Sequence, residues 1–209
     1  NATANKILPD TPGKLLVYGD SIAVGGDLTT GTRDGWTPKL RTIQTESVIV
    51  EGFGSRSLSY DASSSTSLNS LVGYIKAAQP AKIWLAIGTN DYGLSTQPAS
   101  AFKNQYAALL DALHTALPNA QIYAQTPLLR SSESANASGS TLGDYRNAIV
   151  DVVSTRTSYT ILVDGTKMLA LADLEDGLHP SAAGHLKYAQ FVAGKITEVT
   201  PTPTPTPTP

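Results

Sequence analysis

Apolar residues fall into two alternating patterns along the 209-residue chain. Five short runs are almost continuously apolar: Lys14–Tyr18, Ser47–Glu51, Lys82–Ile87, Gln121–Gln125 and Tyr159–Val163. Each is followed at once by Gly, Thr-Pro or Asp-Gly. Runs of this length, rich in Val, Ile, Leu and aromatic residues, predict strands covered on both faces. Between them the apolar residues recur every three or four positions, as one face of a helix requires. Leu68, Leu71, Val72 and Ile75 form one such stripe, which stops before Gln79-Pro80. Phe102, Tyr106, Leu109, Leu110 and Leu113 form a second. Leu142, Tyr145, Ile149, Val152 and Val153 form a third, with Thr141 placed to cap it. Leu186, Phe191, Val192 and Ile196 form a last one, begun through Pro180-Ser181. Strand alternating with helix in this way predicts a three-layer α/β/α domain around a central five-stranded parallel sheet. Such sheets carry their sites in the loops after the carboxyl ends of the strands.

Those loops hold the polar and glycine-rich segments. Gly19-Asp20-Ser21-Ile22 follows the first predicted strand, and Gly52-Phe53-Gly54-Ser55-Arg56 the second. Gly88-Thr89-Asn90-Asp91 follows the third, and Asp176-Gly177-Leu178-His179-Pro180 precedes the last helix. A serine hydroxyl is a weak nucleophile until a base takes its proton. A histidine can be that base, and a carboxylate can hold its tautomer and steady its charge. Asp176 and His179 stand three apart, so one short loop can deliver both. Backbone N–H groups of a glycine-rich turn and the amide of Asn90 are suitable donors to a developing oxyanion.

These four blocks, in this order, resemble the SGNH hydrolase family, a branch of the GDSL esterases and lipases. The resemblance covers residues 14 to 197 or so. It implies a flavodoxin-like fold, with Ser21 as nucleophile, His179 as general base and then acid, and Asp176 orienting His179. The implied oxyanion hole is the Ser21 N–H, an N–H at Gly54 (Ser55 by strict register) and the Asn90 side chain. No cofactor and no metal is implied. The alternative serine-esterase signature, Gly-x-Ser-x-Gly, occurs nowhere in the sequence.

Other residues carry plainer expectations. Asp20 and Asp91 read as structural hydrogen-bonding groups. His114 and His185 read as surface or capping residues of helices, and Trp84 as core. Arg56 is a possible substrate contact in the second block. Trp36, opening a helix after a glycine-rich loop, is a possible sugar-stacking ring.

Composition narrows the partners. A formal charge of −2, with only 15% charged residues, leaves no electrostatic footprint for nucleic acid or an anionic membrane surface. No apolar run approaches the roughly 20 residues that span a bilayer. There is no cysteine, hence no disulfide and no thiol chemistry. Five of the thirteen prolines lie in the alternating Pro-Thr run from Pro201 to Pro209, an extended linker in character. The expected organisation is an N-terminal extension over 1–13, a catalytic domain over 14–199 and a Pro-Thr linker over 200–209, with further modules beyond it. A linker of that kind is usual between modules of secreted plant-cell-wall enzymes. The expectation is therefore a secreted, monomeric esterase removing acetyl groups from a polysaccharide, acetylated xylan first. A secreted lipase or lysophospholipase of the same family and a non-catalytic carbohydrate-binding module are the alternatives.

Overall fold

The computed structural model describes residues 14–26, 32–94 and 97–198. The expected extension over 1–13 and linker over 200–209 lie outside the described residues. Five strands, β1 (Leu15–Gly19), β2 (Val48–Gly52), β3 (Lys82–Ala86), β4 (Gln121–Gln125) and β5 (Thr160–Val163), form one parallel sheet in the order β2-β1-β3-β4-β5. Each lies within about one residue of the apolar run that predicts it. The sequence order reverses at β1, which pairs with β2 on one side and β3 on the other. Register sets Gly19 opposite both Gly52 and Ala86, so the loops after these three strands start at one level of the sheet.

Alternation along β1 explains the two helical layers, because successive side chains of a strand point to opposite faces. Leu16 and Tyr18 face a layer made by α4 (Ser65–Ala77), α6 (Ala99–Ala116) and α7 (Leu142–Ser154). Leu15 and Val17 face the other, made by α2 (Trp36–Ile43) and α8 (Ala182–Glu198). Both cores are closed: Trp84, Tyr106, Tyr123 and Tyr145 are fully buried. Burying each such side chain contributes about 2–3 kcal/mol. The Thr141 cap forms as expected, its hydroxyl accepting from the Asp144 N–H while the Asp144 carboxylate takes the Thr141 N–H.

Three short helices have no counterpart in the sequence pattern: α1 (Ser21–Val24), α3 (Leu58–Asp61) and α5 (Thr89–Gly93). Each is only four or five residues long, too short for periodicity to show. They follow the carboxyl ends of β1, β2 and β3 in turn, where the chemistry is expected. Among the described residues, no helix is long and apolar enough to cross a membrane.

Candidate active site

The loop after β1 turns at once into α1, and Asp20 caps that turn. Its carboxylate accepts from the Ile22 N–H at 2.9 Å and is almost wholly buried. Ser21 is thereby the first residue of a helical turn, where the backbone N–H has no intrahelical partner. Burial pushes the Asp20 carboxyl up to about 7, assisted by Asp91 and opposed by the Ile22 hydrogen bond and by His179.

The Ser21 hydroxyl lies 2.9 Å from His179 Nε2. His179 Nδ1 lies 2.7 Å from Asp176 Oδ2. The other Asp176 oxygen accepts from the N–H groups of Leu178, at 2.9 Å, and His179, at 2.6 Å. Burial alone would raise the Asp176 carboxyl, but the hydrogen bonds from the His179 ring and from these two backbone groups outweigh it and hold the carboxyl down at about 2. Asp176 is therefore ionised at neutral pH and can only accept. The Nδ1 proton then faces it, and Nε2 presents its lone pair to the Ser21 hydroxyl.

Local geometry closes the 174–180 loop. Leu174 and Pro180 form an antiparallel bridge, and the Glu175 N–H bonds the His179 carbonyl at 2.8 Å. Gly177 takes φ +81°, a conformation that side-chain-bearing residues rarely adopt. Its carbonyl accepts from the Ser131 N–H at 2.8 Å. Ser131 belongs to the loop after β4, which Arg146 of α7 holds through the carbonyls of Pro127 and Leu128 and through the Glu133 carboxylate. Sequence reasoning missed Ser131 and Arg146. Their partners are distant along the chain, so no motif spacing could reveal them.

The third block begins with Gly88 at φ +121°, a turn that delivers Asn90 and Asp91 inward. The Asn90 amide donates to the Arg56 carbonyl at 3.0 Å, which fixes its orientation and leaves its second N–H for another acceptor. Asp91 accepts from the N–H groups of Leu58, at 3.1 Å, and Ser59, at 2.7 Å, the first turn of α3. The third block thus ties down the second. In the second block the left-handed position is Ser55, at φ +62°. Gly54 is exposed, and a Cβ there would meet nothing within 4 Å. Among the described residues, neither of these two N–H groups is taken up by another acceptor.

Two expected substrate contacts lie elsewhere. Trp36 is fully buried and stacks on Tyr188 with centroids 4.4 Å apart, so it has no open face for a sugar. Its helix position makes it core because α2 packs against α8. Arg56 is only 6% exposed, and its guanidinium bonds Asp61 and Glu51 and lies 4.5 and 4.4 Å from the Tyr18 and Phe53 rings. Its donors are engaged inside the protein, which makes it a brace of the second block and not a substrate contact. His185 is also buried, not on the surface. It does serve as a cap, accepting at Nδ1 from the Trp36 N–H that opens α2. Burial lowers its pKa to about 4, with Lys39 and His179 adding to the effect, so it stays neutral. His114 stacks on Tyr159, 3.9 Å between centroids.

The model of the GDSL-like lipase/acylhydrolase family matches residues 17–187, which is most of the chain. The chain belongs to this family. Solved structures agree with the fold. A carbohydrate esterase of family 3 from Talaromyces cellulolyticus superposes with a TM-score of 0.67 at 19% identity, over 89% of this chain and 97% of that one. Est24, a carbohydrate acetylesterase from Sinorhizobium meliloti, superposes with a TM-score of 0.70 at 14% identity, over 89% and 99%. The salicylyl-acyltransferase SsfX3, from a tetracycline biosynthetic pathway, does so with a TM-score of 0.69 at 14% identity, over 89% of this chain and 54% of that one. No curated protein matches the sequence. Family membership makes the protein an ester hydrolase, and the linked Ser21, His179 and Asp176 can perform acyl transfer through a serine ester.

Proposed function

We propose that the protein is a carbohydrate esterase that removes O-acetyl groups from a polysaccharide, acetylated xylan first, through an acyl-Ser21 intermediate. The observation that carries the chemistry is the line of hydrogen bonds from the Ser21 hydroxyl through His179 to Asp176. Ser21 Oγ attacks the ester carbonyl while His179 Nε2 takes its proton. The tetrahedral oxyanion is met by the Ser21 N–H, an N–H of the Gly54–Ser55 turn and the free N–H of the Asn90 amide. His179 then returns the proton to the departing sugar oxygen, and the C–O bond breaks. Water, activated by His179, releases acetate and restores Ser21.

One observation supports a short acyl group on a sugar: the structural neighbours include proteins described as a carbohydrate esterase and a carbohydrate acetylesterase. The Pro-Thr run over 201–209 and the low charge fit secretion and a neutral polymer. Acetate release from acetylated xylan, compared with hydrolysis of p-nitrophenyl acetate and octanoate, tests the reading. We expect acetate release and a preference for acetate over octanoate. Activity that rises toward octanoate, with none on the polymer, would instead make the protein a lipase.

A further inference from the structure

The groove between α3 and α4 holds about 480 Å³ beside the second block. Its walls are chemically unusual for a protein exterior. Tyr60 and Tyr74 line it, and at 75% and 72% exposure they are the most exposed of the large hydrophobic side chains described. Ser67, Ser70 and Tyr74 share one face of α4, being spaced by three and four residues. Outward-facing helix surfaces normally carry charge. α4 carries one charged residue, Lys76, and otherwise offers hydroxyl and amide groups to solvent. The carboxylates at the groove floor are occupied: Asp61 and Glu51 both hold the Arg56 guanidinium, at 2.6 and 3.1 Å.

We infer that this groove is a second binding site, for the neutral main chain of the polysaccharide whose esters the Ser21 site cleaves. For the identity of that polymer the inference rests on the proposed function. Tyrosine presents an apolar ring with a polar tip, which suits the C–H face and the hydroxyl rim of a sugar. Serine hydroxyls donate and accept equally, as sugar hydroxyls do. One positive and two negative charges at the floor leave no attraction for an anionic ligand. Arg56 joins the groove to the catalytic side as a brace: its guanidinium, engaged by Asp61 and Glu51, lies beneath the groove, and its carbonyl holds the Asn90 amide. A chain lying on the two tyrosines therefore abuts the second block, whose Gly54–Ser55 turn supplies one of the proposed oxyanion donors.

Native gels cast with neutral arabinoxylan, and with none, test the site in the full chain carrying Ser21→Ala, so that binding is read without turnover. We expect arabinoxylan to retard this protein. We expect Tyr60→Ala with Tyr74→Ala to weaken the binding about five- to tenfold, the size of lost aromatic stacking at two rings. Both side chains are exposed, so the unfolding midpoint should stay in place. Replacing both tyrosines by phenylalanine keeps the rings and should keep most of the retardation. The inference is overturned if the parent is not retarded, if the alanine variant is retarded as strongly as the parent, or if the phenylalanine variant loses as much binding as the alanine variant. Failure of the Ser21-intact enzyme to release acetate from acetylated xylan would count against the proposed substrate alone, because retardation is read separately.

Discussion

Ser21 stands on a helical turn anchored in the sheet's buried centre, whereas His179 stands on a surface loop that folds largely on itself. On the Ser21 side, Asp20 is 2% exposed, Asn90 8% and Asp91 1%. Their bonds run between elements: Asp91 to α3, and Asn90 to Arg56. On the His179 side, the Asp176 side chain is half exposed and most bonds stay within a few residues. The difference teaches how the site divides its demands. Under the proposed function, Ser21 as nucleophile and the oxyanion donors need fixed positions, which buried cross-links between elements supply. His179, as the proposed base, must accept and return a proton, and a solvent-reached Asp176 carboxylate stays ionised to steady it.

The largest effect should come from breaking the join between the two sides. Ser21→Ala and His179→Ala should each lower kcat on p-nitrophenyl acetate by about 10⁴-fold or more, and the double variant little further, since each group acts through the other. Additive losses would mean that the two are not one unit.

Next, Asp91→Ala should damage the buried side globally. It leaves the Leu58 and Ser59 N–H groups without their acceptor, and urea unfolding should show about 2 kcal/mol of lost stability together with lost activity. Full stability in that variant would show that the second block stands without the third.

Gly177→Ala should act in the opposite way, on activity more than on stability. A Cβ there would strike the Ser131 hydroxyl and strain a backbone at φ +81°. We expect kcat/KM on p-nitrophenyl acetate to fall about tenfold, with roughly 1 kcal/mol of stability lost. A loss of stability as large as that of Asp91→Ala would erase the distinction between the loop and the buried side.

The last effect is a pH dependence. Asp20 titrates at about 7 when folded, above its ordinary 3.8, so the folded state binds more protons between these values. Its contribution is complete below pH 3.8 and is lost as pH rises through 7. His185 is lowered from 6.5 to about 4, so its contribution runs the other way: it is complete above pH 6.5 and is lost as pH falls toward 4. Asp20→Asn keeps an acceptor for the Ile22 N–H and should leave stability rising more steeply from pH 4 to 6.5 than in the unaltered protein. Denaturation midpoints across that range check it, and an unchanged profile would show that Asp20 does not titrate there.

Much of the site was legible because its blocks are local. Gly19-Asp20-Ser21, Gly88-Thr89-Asn90-Asp91 and Asp176 through His179 are each short enough to be read as a unit, and the strand pattern says that loops after strands carry chemistry. Trp36 and Arg56 were misread for a shared reason. A tryptophan opening a helix and an arginine in a polar loop look the same in sequence whether they face solvent or a neighbouring element. Tyr188, 152 positions from Trp36, and Tyr18, 38 from Arg56, decide the matter, and neither distance leaves a periodic trace.

The sequence by itself determined the sheet, the main helical layers and the candidate catalytic groups, because strand and helix periods and capping residues act over a few positions. Tertiary structure alone decided which of these groups meet. The 2.9 Å contact between Ser21 and His179 spans 158 positions, and it exists only because β1 lies at the sheet's turning point while α8 packs beneath it. The groove of Tyr60 and Tyr74 likewise appears only once α3 and α4 are set side by side. Local preference chooses the elements, and the burial of their apolar faces against one another places the polar groups they carry.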